Sequence, residues 1–372
     1  MAARWFQPIA CNSILRLSIC VFAAFLLLAQ PGVAQQLSTT QPKSPDGLWQ
    51  DVDQRLLLRS STVDRLPVAQ SYRTVRLDVA AFQSLISTAP PEFKASTGLA
   101  LTLPMPDGRF EKFEIVESSI LAPALAAQFP GIKTFSGKSV DNPAFTARLD
   151  WTPAGFHAMV IGPGTSMFIE PYDRGDTATY ISYLKSQASA GSAFQCLAKP
   201  SAKPFALTAD ALGPLALSSG PILRSYRLAL AATGEYTTFH GGTVAAALGA
   251  MTTTMNRVNG IWERDFGIRL IMIADEAKII YTNGTTDPFT NSDSSKAADE
   301  NQANLDTVIG NANYDVGHVF STGAGGIGAA GICIAGGKGI GATGHDSPVG
   351  GQVRRRICRP RNGAPVQWQP HL

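Results

Sequence analysis

The sequence predicts an α+β protein in which a β-rich N-terminal part precedes an α/β part with a mixed, mostly parallel sheet and two helices. Three observations support this prediction. Short alternating apolar runs, separated by Pro and Gly turns, fill residues 70–185. A helical apolar stripe begins after Thr243. Residues 199–221, which lie between these parts, are rich in Pro, Ala and Ser, as is typical of a linker.

In the β-rich part, a period of two residues predicts the strands. Val75, Leu77 and Val79 alternate on one face of a predicted strand. Asp107-Gly108 lies between two alternating apolar runs, which indicates a hairpin. Further strands are predicted at 145–151, 156–161 and 167–172.

In the C-terminal part, predicted strands and helices alternate. The helix after Thr243 places Leu248, Met255 and Trp262 on one face, because the apolar positions are spaced by three and four residues. A second helix is predicted at 301–310. Strands are predicted at 226–232, 267–274 and 314–322. This alternation indicates an α/β layer with a mostly parallel sheet.

The N-terminus has the features of an export signal. Arg4 and Arg16 precede the apolar run 17–29, and small residues up to Ala34 predict cleavage after that residue. The run is short for a membrane-spanning helix, which argues against the alternative of an uncleaved anchor. We therefore expect a secreted or periplasmic protein that loses residues 1–34 and has no membrane attachment after cleavage.

The formal net charge of +3 is unevenly distributed. Two arginines of the export signal and five arginines of residues 352–372 produce it, and all 28 acidic residues lie between these segments. Residues 35–350 therefore carry a net charge of about −4. The sequence has no basic stripe with interleaved aromatic residues, so nucleic acid is not an expected partner.

A glycine motif follows the strand predicted at 314–322. Gly323, Gly325 and Gly328 match the G-x-G-x-x-G spacing of a dinucleotide-binding loop. In such a loop a helix begins at the motif, with its N-terminus facing the pyrophosphate. Here the chain continues with an apolar but glycine-broken stretch, so we interpret the match as coincidental.

Several segments of the C-terminal part resemble one enzyme family. They include YRLALAATGEYTTFHGG, MNRVNGIWERD, IIYTNGTTDPFTN, NQANLDTVIGNANYDVGHVFSTGAGGIG and GATGHDSPVG. Together these segments resemble the bacterial secreted reprolysin-like zinc metallopeptidases (M12B type), a metzincin branch, over residues 222–350. The segment LTLPMPDGRFEKFEIVES, residues 101–118, resembles the propeptide of that family.

The resemblance implies a domain organisation and a chemistry. Residues 35–198 would form a β-rich propeptide-like domain, and residues 222–350 the upper half of a metzincin-type catalytic domain. The intact family binds zinc and cleaves peptides or proteins. Its next element is a helix with the motif H-E-x-x-H-x-x-G-x-x-H, whose histidines bind zinc and whose glutamate is the general base. This motif does not occur in the sequence, so we expect that this chain binds no zinc.

The segment that stands in place of that helix, residues 351–372, is compatible with the motif in another reading frame. Shifted by one base, the codons of Pro360-Arg361, Ala364-Pro365 and Pro370-His371 can encode histidines at the spacing of the three zinc ligands. Arg361-Asn362 can encode the glutamate after the first histidine. The full shifted peptide is KFDVEYVAHEMGHQFSGNHT. We therefore interpret residues 351–372 as an out-of-frame tail without stable structure, since its prolines interrupt helices and strands.

The histidines of the chain as written do not form the expected zinc site. They are His157, His240, His318, His345 and His371, and no two of them are spaced i, i+4. His157 lies in an apolar run and is predicted to be a packed structural side chain. His318 lies in a predicted strand and His345 in a loop or short strand, where neither needs a metal.

By resemblance, one segment would contact a substrate. It corresponds to the edge strand on which metzincins bind the substrate backbone by β-augmentation. The residues concerned are Ile327, Gly328, Ala329 and Ala330. No catalytic residue is expected in the chain as written.

The exported chain would retain Cys196, Cys333 and Cys358, too few for a disulfide scaffold. Cys196 precedes the predicted linker, and its thiolate could cap zinc and keep a zymogen latent. A Cys196–Cys333 disulfide and a buried thiol are the alternatives. By resemblance, the disulfide partner of Cys333 would instead lie beyond the lost frame.

Two functions follow from the sequence. The first is an incomplete secreted zinc metalloendopeptidase zymogen, inactive as written. The second is a non-enzymatic secreted protein that acts as a binding module or as an inhibitor of related proteases. The sequence does not predict substrate preference, processing site or oligomeric state.

Overall fold

A computed structural model describes most of the chain between the export signal and the tail. The described residues are 41–53, 69–94, 96–188, 222–323, 325–328 and 333–348. The predicted export signal, linker and tail lie outside them, as do Cys196, Ala329 and Ala330. Within the described residues, no helix has both the length and the apolar character needed to cross a membrane.

The β-rich part, residues 41–188, forms one antiparallel sheet. Its nine described strands are β1 (Trp49–Asp51), β2 (Arg73–Leu77), β3 (Leu99–Pro104), β4 (Phe110–Glu117), β5 (Lys133–Ser139), β6 (Thr146–Thr152), β7 (Gly155–Gly162), β8 (Thr165–Pro171) and β9 (Thr179–Leu184). They are arranged in the order β1-β2-β9-β8-β7-β6-β5-β4-β3. Two helices are described beside the sheet, α1 (Val79–Ile86) and α2 (Pro123–Gln128).

This sheet curls until its two ends nearly meet. The indole N–H of Trp49 in β1 donates to the carbonyl of Thr102 in β3 at 2.9 Å. The hydroxyl of Ser182 in β9 donates to the carbonyl of Pro104 at 2.7 Å. An aromatic cluster that includes Trp49 and Tyr180, with ring centroids 5.5 Å apart, fills the interior. These two hydrogen bonds join the ends of the sheet. They pair backbone carbonyls of the β3 edge that would otherwise have no partner in the sheet.

The α/β part, residues 222–348, forms a second sheet. Its elements are β10 (Arg224–Ala232), α3 (Gly234–Phe239), α4 (Val244–Phe266), β11 (Ile268–Met272), α5 (Ser294–Val308), β12 (Val316–Ser321), β13 (Gly325–Ile327) and β14 (Ala342–Gly344). The strand order is β11-β10-β12-β14-β13. The first four strands are parallel, and β13 pairs antiparallel with β14.

Helices cover both faces of this second sheet. Leu248 and Met255 of α4 are fully buried in a cluster with residues of β10 and β11. Leu305 of α5 is buried in a different cluster, together with Ala231 of β10 and Val319 of β12. Because successive side chains of a strand point to opposite faces, α4 and α5 lie on opposite sides of the sheet.

The β-rich part continues the second sheet at its β11 edge. The backbone N–H of Met272 donates to the carbonyl of Ile120 at 2.8 Å, and the N–H of Ala122 donates to the carbonyl of Met272 at 2.9 Å. Residues 120–122 thus run parallel to β11 and pair with it. The two parts therefore share backbone hydrogen bonds as well as side-chain contacts.

The structure confirms the predicted α+β organisation and corrects some element boundaries. The hairpin at Asp107-Gly108 joins β3 and β4, and the Thr243 hydroxyl caps α4 by accepting from the N–H of Ala246 at 3.2 Å. Val79, predicted to continue a strand, instead begins α1, because the Asp78 carboxylate accepts from the N–H of Ala81 and caps a helix there. The second predicted helix, 301–310, is longer and starts earlier, since α5 spans Ser294–Val308.

The close contact of the Gly317 backbone in β12 with its neighbours leads to a first prediction. A Cβ at Gly317 would overlap the Leu305 side chain and lie 2.8 Å from the Cα of Gly339. Because backbone cannot move aside cheaply, we expect Gly317→Ala to lower the free energy of unfolding by about 1–3 kcal/mol. Gly131→Ala is the control, since a Cβ there has open space. Equal stabilities of the two variants in urea unfolding would contradict this account.

A buried carboxyl group leads to a second prediction. Glu276 is fully buried, and its Oε1 accepts from the N–H of Leu230 at 2.7 Å. Burial raises the pKa of Glu276 well above its ordinary value of 4.5 and outweighs the backbone hydrogen bonds that lower it. The folded state then holds this proton more tightly than the unfolded state, so its contribution to stability is lost as the pH rises above about 4.5.

Glu276→Gln keeps the acceptor for Leu230 and removes the proton. We expect the variant to lose less stability than the parent between about pH 5 and pH 8, measured as the free energy of unfolding in urea. Glu114→Gln, at an exposed position of β4, is the control and should follow the parent. Parallel pH profiles for the parent and Glu276→Gln would contradict the prediction.

Candidate functional site

The candidate site lies at the edge of the second sheet that is formed by β13. One side of β13 pairs with β14, with Gly325 opposite Gly344 and Ile327 opposite Ala342. In the strand order of the described residues, β13 has no neighbour on its other side. An edge strand of this kind can accept an extended peptide as an additional strand.

The structure locates part of the predicted substrate-binding segment. Ile327 is the last residue of β13, and Gly328 follows the strand. Ala329 and Ala330 lie outside the described residues, so their positions stay predictions. The side chain of Ile327 packs against the apolar cluster beneath α5. Any contact of Ile327 with a peptide would therefore use its backbone.

The glycine motif forms this edge. A Cβ at Gly323 would overlap the carbonyl of Asn291, so the turn after β12 needs a residue without a side chain. Residues 325–327 then form a strand, and no helix begins within residues 325–328. A strand thus occupies the positions at which a dinucleotide-binding loop would lead into a helix.

Asn291 joins the carboxyl ends of two parallel strands. Its Oδ1 accepts from the Thr233 hydroxyl, directly after β10, and from the N–H of Thr322, directly after β12, each at 3.0 Å. Its amide N–H donates to the Thr322 hydroxyl at 2.9 Å. Nearby, Asp287 accepts from the N–H of Gly234 at 2.6 Å. These bonds fix the turn into β13 at the sheet end where α/β proteins usually bind ligands.

No sequence motif indicates Asn291 or Asp287 as site residues. Both lie in the loop TDPFTN, whose Asp, Pro and Asn residues are a signal for a turn. Their partners are more than 30 residues away along the chain. Sequence patterns report local geometry, so they indicated the loop but not the strands that it joins.

Helix α5 supports the segment that returns to β14. The Asn301 amide donates to the carbonyl of Gly339 at 2.8 Å, and the N–H of Gly339 donates to Oε1 of Gln302 at 2.6 Å. Lys338 donates to the carbonyls of Tyr314, at 2.6 Å, and Asn311. Polar side chains thus satisfy an irregular backbone segment that would otherwise be costly to bury.

The four described histidines lie in different surroundings. His157 in β7 is 3.2 Å from Asp150, and Nε2 of His318 in β12 is 2.9 Å from the Thr343 hydroxyl. His345 follows β14 and lies 3.1 Å from Asp346. The fourth, His240, follows α3. Within the described ranges, no group of three or more His, Cys, Asp or Glu residues could hold a metal ion. This part of the chain therefore does not fit the zinc that the family resemblance implies.

The structure agrees with a structural role for His157, which is 9% exposed. Cys333 is exposed, and within the described residues it is not part of a disulfide. Its alternative partner, Cys196, lies outside the described residues.

His240 links the segment after β14 to α3. Its ring packs on Tyr236, with centroids 4.5 Å apart, and hydrogen-bonds the backbone carbonyl of Pro348. Burial, followed by the nearby Arg174 guanidinium, lowers the pKa of His240 to about 4. The imidazole is therefore neutral at pH 7, and it fixes the last described residues before the predicted tail.

This lowered pKa leads to a third prediction. The unfolded chain takes up the His240 proton near its ordinary pKa of 6.5, and the folded chain only near 4. The contribution to stability is present above about pH 6.5 and is lost as the pH falls toward 4. We expect His240→Phe to lose less stability than the parent over this interval, by on the order of 2 kcal/mol.

Urea unfolding of parent and variant across this pH interval tests the prediction. His345→Phe is the control, since that ring is partly exposed and lies next to Asp346. If His240→Phe and the parent lose stability equally on acidification, His240 is not the group responsible.

Comparison with known proteins agrees with the sequence resemblance. Residues 223–353 match the sequence model of a family described as metallo-peptidase family M12B, reprolysin-like. The matched residues contain every described element from β10 to β14, including the edge strand β13. No curated protein gave a significant match. This match supports a reprolysin-like metallopeptidase domain at residues 223–353.

Proposed function

We propose that this chain is an incomplete form of a secreted zinc metalloendopeptidase zymogen and that it does not hydrolyse peptides as written. The carrying observation is the family match, which ends at residue 353. At that point the sequence changes to an arginine-rich segment without acidic residues. The chain thus has the β10–β14 segment of a reprolysin-like domain but no H-E-x-x-H motif.

The frame-shift interpretation explains what replaced the motif. The residue pairs beginning at Pro360, Ala364 and Pro370 can encode histidines one base later. Their offsets match the three zinc ligands of a metzincin helix. One inserted base near the Gly351 codon would account for the loss of all three ligands and of the glutamate.

In the intact family, zinc activates the water that attacks the peptide carbonyl. The described residues of this chain do not fit the ion, and we propose only a substrate-positioning role for them. The backbone of β13 would pair with an extended peptide, and Asn291 would hold the turn that sets the position of β13.

The β-rich part and Cys196 would belong to the zymogen. We propose residues 35–198 as propeptide, with the Cys196 thiolate as a cap on zinc in the intact enzyme. A disulfide with the exposed Cys333 is the alternative. Mass spectrometry of the non-reduced exported protein distinguishes the two, since only the disulfide links the peptides that contain these residues.

The second candidate function is a secreted binding or protease-inhibitory module. The edge position of β13 favours it, because an edge strand can bind a partner without catalysis. The DNA after the Gly351 codon distinguishes the two functions. A shifted frame that stays open through a methionine turn supports the protease origin, whereas a prompt stop in that frame supports the binding module.

Restoring the reading frame tests the main proposal. One base is deleted near the Gly351 codon, and the downstream sequence is retained because it completes the cleft. We expect about one zinc per chain, together with hydrolysis of a denatured protein that a chelator abolishes. The 372-residue form should show neither. Bound zinc and chelator-sensitive proteolysis from the 372-residue form would refute the proposal.

A matched variant separates zinc binding from catalysis. In the restored frame, the glutamate codon that arises from Arg361-Asn362 is changed to glutamine. This variant should keep bound zinc and lose most hydrolysis, because it lacks the general base. Loss of zinc in this variant, or full activity without the glutamate, would show that the restored segment does not act as the proposed helix.

A further inference from the structure

Helix α4 is buried on two sides, and its second side is polar. One side packs on the second sheet through Leu248 and Met255. The other side faces β6 to β8 of the β-rich part and includes Thr253, Asn256 and Arg257, which are at most 6% exposed. We call the contact of α4 and β11 with residues 41–188 the α4 interface.

Arg269 is at one end of the α4 interface. Its Nη1 and Nη2 donate to the two carboxylate oxygens of Glu92 at 2.6 and 3.0 Å. Its Nε and Nη2 donate to Glu263 at 2.6 and 3.0 Å. Arg148 of β6 also donates to Glu263 and, at 3.2 Å, to the Ser118 hydroxyl. Two arginines and two glutamates, one of each from either part, thus form one network.

The charges of this network balance. Burial alone would raise the pKa of Glu92, but hydrogen bonds from Arg269 and Ser118 outweigh it and lower that pKa. Burial alone would lower the pKa of Arg269, and its bonds to Glu92 and Glu263 raise it. Separation of the two parts would leave Glu92 without Arg269 and Arg148 without Glu263, a costly change for desolvated charges.

A second polar group lies further along α4. Arg257 contacts Oε1 of Glu170 in β8 at 2.7 Å. The Thr253 hydroxyl donates to Asp150 of β6 at 2.6 Å, and the Asn256 amide donates to the carbonyl of Leu149 at 2.8 Å. Three side chains of α4 thus make polar contacts with the β-rich part across the interface.

The backbone of α4 also lies close to the Arg148 side chain of β6. A Cβ at Gly260 of α4 would lie 2.7 Å from Cγ of Arg148. Ile120 and Leu121 are buried in the same apolar cluster as the α4 residues, and residues 120–122 pair with the edge of β11. The α4 interface therefore combines apolar packing, backbone pairing and ion pairs between the two parts.

The α4 interface lies away from the candidate substrate strand. In the order β11-β10-β12-β14-β13, residues 120–122 pair at the first edge and β13 forms the last. The β-rich part thus binds at the edge opposite the one proposed for peptide binding.

We infer that residues 41–188 are a permanent partner of α4 and β11, which stays bound when the chain is cut within residues 189–221. The β-rich part then stays bound as a subunit after cleavage. Cleavage changes only which surfaces the segment between the two parts can contact. Any regulatory role of this complex rests on the proposed zymogen. The persistence of the complex after cleavage depends only on the α4 interface.

A cleavable full-length variant tests the inference. A recognition sequence for a specific protease is placed within residues 199–221, and the exported protein is cut to completion. We expect the two fragments to elute together in gel filtration at micromolar concentration and to sediment as a one-to-one complex on dilution. Two separate folded species at micromolar concentration would overturn the inference.

A double-mutant cycle locates the binding. Glu92→Ala and Arg269→Ala should each raise the dissociation constant of the cut protein roughly tenfold or more, because each removes the bidentate ion pair that crosses the α4 interface. The double variant should bind more tightly than the product of the single effects implies. Arg109→Ala is the matched control, since this arginine pairs with Asp107 at an exposed turn.

The outcomes remain informative if a variant is unstable. Circular dichroism of each uncut variant reports its fold, since the connected chain holds the two parts together. Folded variants whose effects simply multiply, or equal that of Arg109→Ala, would overturn the role of the Glu92–Arg269 pair. None of these measurements uses zinc or proteolysis, so their failure is distinguishable from failure of the proposed function.

Discussion

Arg269 forms bidentate ion pairs with both Glu92 and Glu263, and the arrangement of the two sheets depends on these ion pairs. Arg269 belongs to β11, Glu263 to α4 and Glu92 to the loop after α1, so one guanidinium fixes three elements. Its planar donor geometry suits two carboxylates in a way that a lysine could not reproduce. Because the charges are desolvated, the network favours one relative position of the parts.

The sequence predicted those features that depend on residues close to one another along the chain. The α4 stripe was predictable because Leu248 and Met255 repeat at the helical period. The other face of α4 was not, because Thr253, Asn256 and Arg257 resemble a solvent-exposed surface in a sequence. Their burial depends on β6 to β8, about 100 residues away. Val79 was assigned to a strand because the alternation continues through it, and the Asp78 cap decided otherwise.

The candidate site was predictable to a similar extent. Resemblance predicts an edge strand at residues 327–330, and the edge strand that the structure describes, Gly325–Ile327, shares Ile327 with it. The support of that strand by Asn291 required knowledge of which strand ends meet. The metal centre is a different case, since the described histidines are dispersed over both parts of the chain and no group of three or more possible ligands occurs within the described residues.

The pairing of residues 120–122 with β11 has a consequence for solubility. An exposed parallel strand presents unpaired N–H and carbonyl groups to other chains, and such edges promote aggregation. The β-rich part covers this edge of the second sheet, at Met272. An α/β part made without residues 41–188 would leave the β11 edge unpaired, and further copies could add there by edge-to-edge pairing. The β-rich part thus prevents the second sheet from pairing, at its β11 edge, with the same sheet of another chain.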